Sequence, residues 1–350
     1  MKNSRKILVT GGAGYIGSHT VVELIRHGYE PVIIDNFCNA QSGSVLGIQA
    51  ITDYPVTLYR ADCRDEERLR WILRKEGPMA GVIHFAALKS VAESGREPLR
   101  YYQNNLGALH AVLALMEQEG IPRLVFSSSA TVYGQADALP VYEDTPWKEA
   151  ASVYGKTKQL GETIINEVMA NRSDQQAICL RYFNPVGAHP SGLIGEWPQS
   201  RPENLVPYLT QAAAGLRDPL TVFGNDYNTP DGTAIRDYIH VMDLANAHVK
   251  ALDYMLAADQ RAGNTEVFNI GTGRGNSVLE LIRTFEKVNG VQVPHHIGPR
   301  RDGDIEQIYA NCDRARDVLG WSATRSLGAA LKDAWQWQCG LQSAQLRTAS

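Results

Sequence analysis

Short apolar, β-branched runs punctuate the first half of the chain: KILVT (6–10), PVII (31–34), VTLY (56–59), GVIHF (81–85), RLVFSS (123–128) and AICLRY (177–182). Longer stretches with helical periodicity separate them. Strands that read as continuous apolar runs are buried on both faces, and their alternation with helices predicts a parallel sheet covered on each side. Six such strands in 182 residues fit a doubly wound α/β (Rossmann) fold. One helix begins near Leu99, carries Leu106, Leu109, Leu113 and Met116 at spacings of three and four, and stops at Gly120 before Pro122.

The texture changes after residue 184. NPVGAHPSGLIGEWPQSRPENL is rich in Pro and Gly and weakly periodic, so it reads as a long loop, and such loops inside compact domains are usually functional. A helix (205–216), a short strand (220–223), a loop, a helix (241–257), a strand (266–270) and two further helices follow, and the last residues, QSAQLRTAS, read as frayed. The expected organisation is a dinucleotide-binding domain over 1–184 and a smaller mixed α/β lobe over 185–345. Some later segments return to the first domain.

Composition narrows the options. Of 350 residues, 44% are hydrophobic and 21% charged, as in a soluble globular protein. A net charge of −4 with no basic stripe argues against nucleic acid as a partner. No run is long enough to span a membrane, and the apolar start is too short for a signal-peptide core. Five scattered cysteines (Cys38, Cys63, Cys179, Cys312 and Cys339) show no zinc spacing and read as free thiols in a reducing cytoplasm. The nine histidines form no metal-ligand pair; His295 and His296, after a proline, read as a strand end. No metal is expected.

The first strand runs into GGAGYIGSH, where Gly11, Gly14 and Gly17 provide a tight turn, a close backbone approach and helix–strand packing. The helix N-terminus adds partial positive charge for a pyrophosphate. Glycines also make plain turns, but here the second strand ends in Asp35, 18 residues after Gly17, where the dinucleotide fingerprint places its ribose ligand. That carboxylate suits ribose hydroxyls and repels a 2′-phosphate, and NFCNAQSG after it carries no Arg or Lys, so NAD is expected over NADP. Asp62 follows the third strand, as an adenine contact or as the cap of the helix DEERLRWIL. The small residues of FAALK (85–89) either admit the cofactor or simply pack tightly.

Tyr154 and Lys158 in SVYGKTK lie four apart, on one helix face. An ammonium there, near a positively charged nicotinamide, favours tyrosinate and is expected to lower the phenol's pKa, as acid–base work near neutral pH requires. A core tyrosine beside solvated lysines is the plainer alternative. Ser129, ending the fifth strand in SSSATVYG at the carboxyl edge of the sheet, tilts the balance toward chemistry.

At this point the chain resembles the extended short-chain dehydrogenase/reductase superfamily, and within it the 4-epimerases of UDP-glucose and UDP-galactose. The likeness spans about residues 5–340 and rests on GGAGYIGSH, DN (35–36), HFAALKSV (84–91), NN (104–105), SSSATVYG, YGKTK, RYFNPVGAHPSG, NLVPY, FGNDYNTPDGTAIRDYIHVMDLA and GTGRGNSV. The resemblance implies that Tyr154 takes the proton of the sugar 4-hydroxyl, with Lys158 and Ser129 assisting, while hydride passes to NAD and returns to the other face of a 4-keto sugar. It implies cofactor contacts from Gly11, Gly14, Tyr15, Ile16, Gly17, Asp35, Asn36, Asp62, Cys63, Phe85, Ala86, Ala87, Lys89, Asn104, Ser127, Tyr154, Lys158 and Tyr182. For the UDP-sugar it implies Lys89, Ser129, Tyr154, Asn184, Asn204, Leu205, Phe223, Arg236, Arg301 and Asp304, although Arg236 also stands next to Asp237 as a local ion pair and RRDGD (300–304) also reads as a solvated turn. Ile308 falls at the position that gates N-acetylated sugars. A 4,6-dehydratase needs an acid beside the catalytic hydroxyl residue, and Ser129-Ala130-Thr131 has none. UDP-pentose, UDP-uronate and UDP-N-acetylhexosamine epimerases remain alternatives, as does a non-catalytic NAD sensor. Helices 99–119 and 152–170 are expected to pair in a homodimer.

Overall fold

The structure, a computed structural model, describes residues 5–199, 201–257, 264–301 and 304–349. In chain order the first part comprises β1 (Lys6–Thr10), α1 (Tyr15–Arg26), β2 (Glu30–Asp35), α2 (Gly43–Thr52), β3 (Thr57–Arg60), α3 (Glu66–Glu76), β4 (Gly81–His84), α4 (Val91–Arg96), α5 (Pro98–Glu119), β5 (Arg123–Ser129), α6 (Val153–Ala170) and β6 (Gln176–Tyr182). The rest comprises β7 (Asn184–Val186), α7 (Leu205–Ala213), β8 (Leu220–Phe223), β9 (Ile235–His240), α8 (Val241–Ala257), β10 (Asn264–Ile270), β11 (Gly275–Ser277), α9 (Val278–Asn289), β12 (His295–Gly298), β13 (Gln307–Ile308), α10 (Asp313–Leu319) and α11 (Leu327–Ala349).

Seven parallel strands form the main sheet in the order β10-β6-β5-β4-β1-β2-β3. Side chains alternate between its faces, as the two-residue period of a strand requires. Ile7, Val9, Ile33, Ile83 and Val125 pack on one side with α1 and α8. Leu8, Val32, Ile34, Val82, Leu124 and Phe126 pack on the other with α3, α5 and α6. Both faces are dry, which is why the strands read as unbroken apolar runs. The chain lays down β1, β2 and β3 outward, then returns to place β4 on the other side of β1. That reversal opens a crevice at the carboxyl ends of β1 and β4, where Thr10 lies opposite His84.

Beyond residue 184, β9 pairs with β11, β13 and β7, and β8 pairs with β12. β9, with the sequence IRDYIH, falls in a stretch expected to be loop; Arg236 and Asp237 break its apolar pattern because they serve the lobe's polar interior. His295 begins β12 rather than ending a strand. The expected helix from 205 stops at Ala213, before Gly215 in a left-handed conformation. Three helices rather than two follow β10, and α11 continues to Ala349 where fraying was expected, since QSAQLRTA is made largely of good helix formers. No helix among the described residues is long and apolar enough to cross a membrane.

Candidate active site

The crevice is floored by backbone that tolerates no side chain. Gly11 has φ +70°, and a Cβ on it would stand 2.8 Å from the Ala86 nitrogen. A Cβ on Gly17 would stand 2.3 Å from the Gly11 carbonyl oxygen. The turn after β1, the start of α1 and the Phe85-Ala86-Ala87 segment after β4 therefore interlock. Gly14 caps α1 in extended conformation with no side-chain cap and no acid in the first turn, so the helix's own side chains leave its positive end open. Asp35 is buried; it accepts hydrogen bonds from the backbone N–H groups of Ala13 (3.0 Å) and Phe37 (2.8 Å), and burial raises its carboxyl pKa above the usual range. A Cβ-free cradle, a free helix N-terminus and an oriented acid at the end of β2 fit a dinucleotide with its pyrophosphate at α1 and its adenosine ribose at Asp35.

Residues expected at the adenine end are occupied with one another. Asn36 donates to Asp62 (3.3 Å), and Asp62 is held at 2.7 Å by Arg64, which with its hydrogen bonds depresses the Asp62 pKa to about 2. Asp62 is not the cap of α3; that is Asp65, which accepts from the Arg68 N–H. The Cys63 thiol is buried beside them, its pKa pushed up to about 12 by desolvation. Ile16 packs into the core beneath α1. Asn104 donates to Asn105, which in turn exchanges two hydrogen bonds with Leu88 and donates to Thr157, tying α5 to the FAALK segment and to α6.

Ser129, Tyr154 and Lys158 converge at the carboxyl edge of β5. Ser152 caps α6 by accepting the Gly155 N–H at 3.1 Å, and Gln159 donates to the carbonyls of Val132 and Lys148, so the helix is clamped against the turn after β5. Lys158 is buried and donates to the Ser127 carbonyl at 2.6 Å, its Nζ 5.7 Å from the Tyr154 ring centre and 4.8 Å from that of Phe126. The Ser129 hydroxyl stands near enough to the Tyr154 phenol to favour its ionisation, and accepts from the Thr131 N–H at 3.2 Å. Ser127 and the Tyr182 phenol hydrogen-bond each other at the adjoining strand ends.

Among the protein's own groups, burial dominates the Tyr154 phenol. Desolvation raises the phenol to about 12, the nearby Ser129 hydroxyl only partly offsetting it. Desolvation also lowers Lys158, to about 8. The order of titration explains the outcome: a phenol ionising near 12 does so after Lys158 has lost its proton, and so gains nothing from an ammonium.

Across the crevice, Arg236 on β9 pairs with Asp304 at 2.6 Å, not with its neighbour Asp237. Asp237 is spent on Thr272, Gly273 and Ala310. Arg301 is 3.5 Å from the same Asp304 and lies over the half-exposed Phe223 ring; residues 302 and 303 of RRDGD lie outside the described residues. Asn184 opens β7 and is exposed; Asn204 precedes Leu205 at the start of α7. Ile308, in β13 opposite Arg236, is buried with Ala130, Val132, Tyr133 and Phe183. A residue not anticipated from the sequence, Glu196, accepts from Lys89 (2.8 Å) and Asn204 (2.7 Å) at once, joining a side chain beside β4 to one on the lobe. Further along the same loop Gln199 donates to the carbonyls of Phe37 and Ala40, and the Tyr15 phenol reaches the Gly187 carbonyl at 2.7 Å. Apart from the Glu196–Asn204 pair, these contacts span more than a hundred residues, which no local pattern signals.

A doubly wound sheet with this Ser–Tyr–Lys cluster beside a glycine cradle defines an extended short-chain dehydrogenase/reductase. A family model described as GDP-mannose 4,6 dehydratase matches residues 8–334. A UDP-glucose 4-epimerase of Bacillus subtilis (strain 168) is 47% identical over 332 residues, covering 95% of this chain and 96% of its own. Another, from Dictyostelium discoideum, is 46% identical over 333 residues and 95% of each chain. Among solved structures, a UDP-glucose 4-epimerase of Stenotrophomonas maltophila, with bound NAD and formylated UDP-arabinopyranose, is 46% identical and superposes with a TM-score of 0.93 over 97% of this chain and 99% of its own. The chain belongs to the family that the model describes and, within it, to the UDP-glucose 4-epimerases. The dehydratase description covers the shared fold; beside Ser129 stand Ala130 and Thr131, without the acid that elimination requires.

Proposed function

We propose that the protein inverts C4 of UDP-glucose and UDP-galactose, with no net redox change. The observation that carries this reading is the convergence of Ser129, Tyr154 and Lys158 at the end of β5, the Lys158 Nζ 5.7 Å from the Tyr154 ring centre, facing a cradle fit for a dinucleotide. Tyr154 as phenolate takes the proton from the sugar 4-hydroxyl and later gives it back, while Ser129 holds that oxygen. NAD, which the glycine turn and Asp35 would hold, would supply the reversible hydride acceptor for C4 and a positive charge favouring phenolate. To work near neutral pH the phenol must be brought well below the raised value that burial gives it, each tenfold gain in phenolate taking about 1.4 kcal/mol of charge stabilisation. Lys158 contributes to this only while protonated. Lys89, Arg236 and Arg301 are the cations available to a diphosphate, Asp304 suits uridine ribose hydroxyls, and Asn184, Asn204, Leu205 and Phe223 complete the nucleotide side.

The family and the reducing-type free thiols among the described residues support a cytoplasmic enzyme, and α5 and α6 are the proposed homodimer face. The formylated UDP-pentose on the Stenotrophomonas relative keeps UDP-pentoses as a second substrate class to assay. The test is sugar interconversion over a panel of UDP-sugars without added NAD, with the NADH absorbance followed in wild type and Tyr154→Phe. No interconversion and an unchanged spectrum on adding UDP-galactose would reassign the protein as an NAD-binding sensor.

A further inference from the structure

Tyr154 and Lys158 are the first two members of a longer row. Glu162 follows four residues on, and residues spaced by four share one helix face. Glu162 and Arg181 are both about 95% buried, at 5% and 4% exposure. Arg181, on β6, grips the Glu162 carboxylate through two N–H groups, Nη2 at 2.7 Å and Nε shared between both oxygens at 2.9 and 3.2 Å. Ser128, next to Ser129 on β5, donates to the same carboxylate. Arg181 also donates to the Tyr133 phenol (3.0 Å) and the Glu143 carbonyl (2.9 Å), and Tyr133 closes the short turn that begins immediately after Ser129. One buried ion pair thus bonds the helix carrying Tyr154 and Lys158, the strand carrying Ser129 and the turn after it.

The groups around Lys158 make Glu162 the counter-charge. Tyr154 and Glu162 lie on its own helix; β5 offers the Ser127 carbonyl and the Phe126 ring; β4 contributes His84; β6 contributes Cys179 and Arg181. Burial keeps the His84 imidazole and the Cys179 thiol uncharged at neutral pH, and Arg181 is committed to Glu162. Glu162 is the largest influence opposing the desolvation of Lys158.

Resting on the epimerase reading, we infer that Glu162, locked by Arg181, is a positioning residue: it holds the Tyr154–Lys158 face of α6 against β5 and keeps Lys158 cationic beside the phenol. Without Glu162 the ammonium loses its counter-charge and releases its proton at lower pH. Glu162→Gln is expected to move the alkaline limb of log kcat down by about one unit, lowering kcat about twofold near neutral pH and about tenfold on the alkaline side of the limb, with KM for UDP-galactose little changed. The ultraviolet phenolate signal assigned to Tyr154, wild type minus Tyr154→Phe on the NAD-bound protein, is expected to shift to higher pH. Because Glu162→Gln alone strands a buried guanidinium, Glu162→Gln/Arg181→Met is made alongside, since removing both partners spares the fold; it should show the same limb shift, and Glu162→Asp should restore part of it. An unshifted pH profile and phenolate titration in a variant that folds and binds NAD would overturn the inference while leaving the epimerase reading intact. Insolubility of both Gln variants would overturn it too, reassigning the pair to the fold. A wild-type protein that interconverts no UDP-sugar would instead sink the reading beneath it.

Discussion

Replacing Lys158 by methionine separates the electrostatic role of this residue from its packing. The Nζ lies 5.7 Å from the centre of the Tyr154 ring, so at an effective dielectric constant of 20 its charge stabilises a phenolate by about 3 kcal/mol. Losing it should lower kcat on the order of a hundredfold near neutral pH and raise the acid limb of the pH profile by about two units. The deficit should therefore shrink as pH rises. Stability moves the other way. The folded pKa of Lys158, about 8, is below that of a free lysine, so the unfolded chain binds more protons between the two values, and the buried charge costs stability below about 8. Lys158→Met should be more stable than wild type at neutral pH by up to about 3 kcal/mol, the advantage fading as pH climbs toward the free-lysine value. The assay is UDP-galactose to UDP-glucose conversion across pH, paired with urea denaturation of the same samples. A pH-independent loss of activity, or a variant less stable than wild type at neutral pH, would refute the reasoning.

Gly17→Ala forces a Cβ to 2.3 Å from a backbone oxygen, so the cradle must open; the purified variant should retain little NAD by extraction and melt several degrees lower. Arg236→Met removes the partner of Asp304 and one cation of the proposed diphosphate site, and should raise KM for UDP-galactose tenfold or more with a smaller change in kcat; a KM within twofold of wild type would remove Arg236 from the substrate. Ile308 is intermediate in bulk at the gate, so wild type should favour UDP-glucose and UDP-galactose. Ile308→Cys should increase turnover of UDP-N-acetylglucosamine, and efficient turnover by wild type without improvement in the variant would dismiss the gate.

Sequence by itself determined the main sheet and the location of its chemistry. Strands buried on both faces leave unbroken apolar runs, so β1 to β6 were readable nearly to the residue, and the glycine turn with Asp35 marked the crevice because both requirements are local. Tyr154, Lys158 and Ser129 were legible for the same reason, each tied to an element end. Short strands such as β9 were hidden, because its Arg236 and Asp237 are held by Asp304 and Thr272, partners that only the folded chain brings near. The latch of Glu196 on Lys89 and Asn204 has no local signature. Tertiary structure also decided the proton chemistry. A helical spacing can say that an ammonium stands beside a phenol, but the pKa values of both depend on how far each is removed from water. Here burial raises the phenol and lowers the lysine, which spacing alone does not convey.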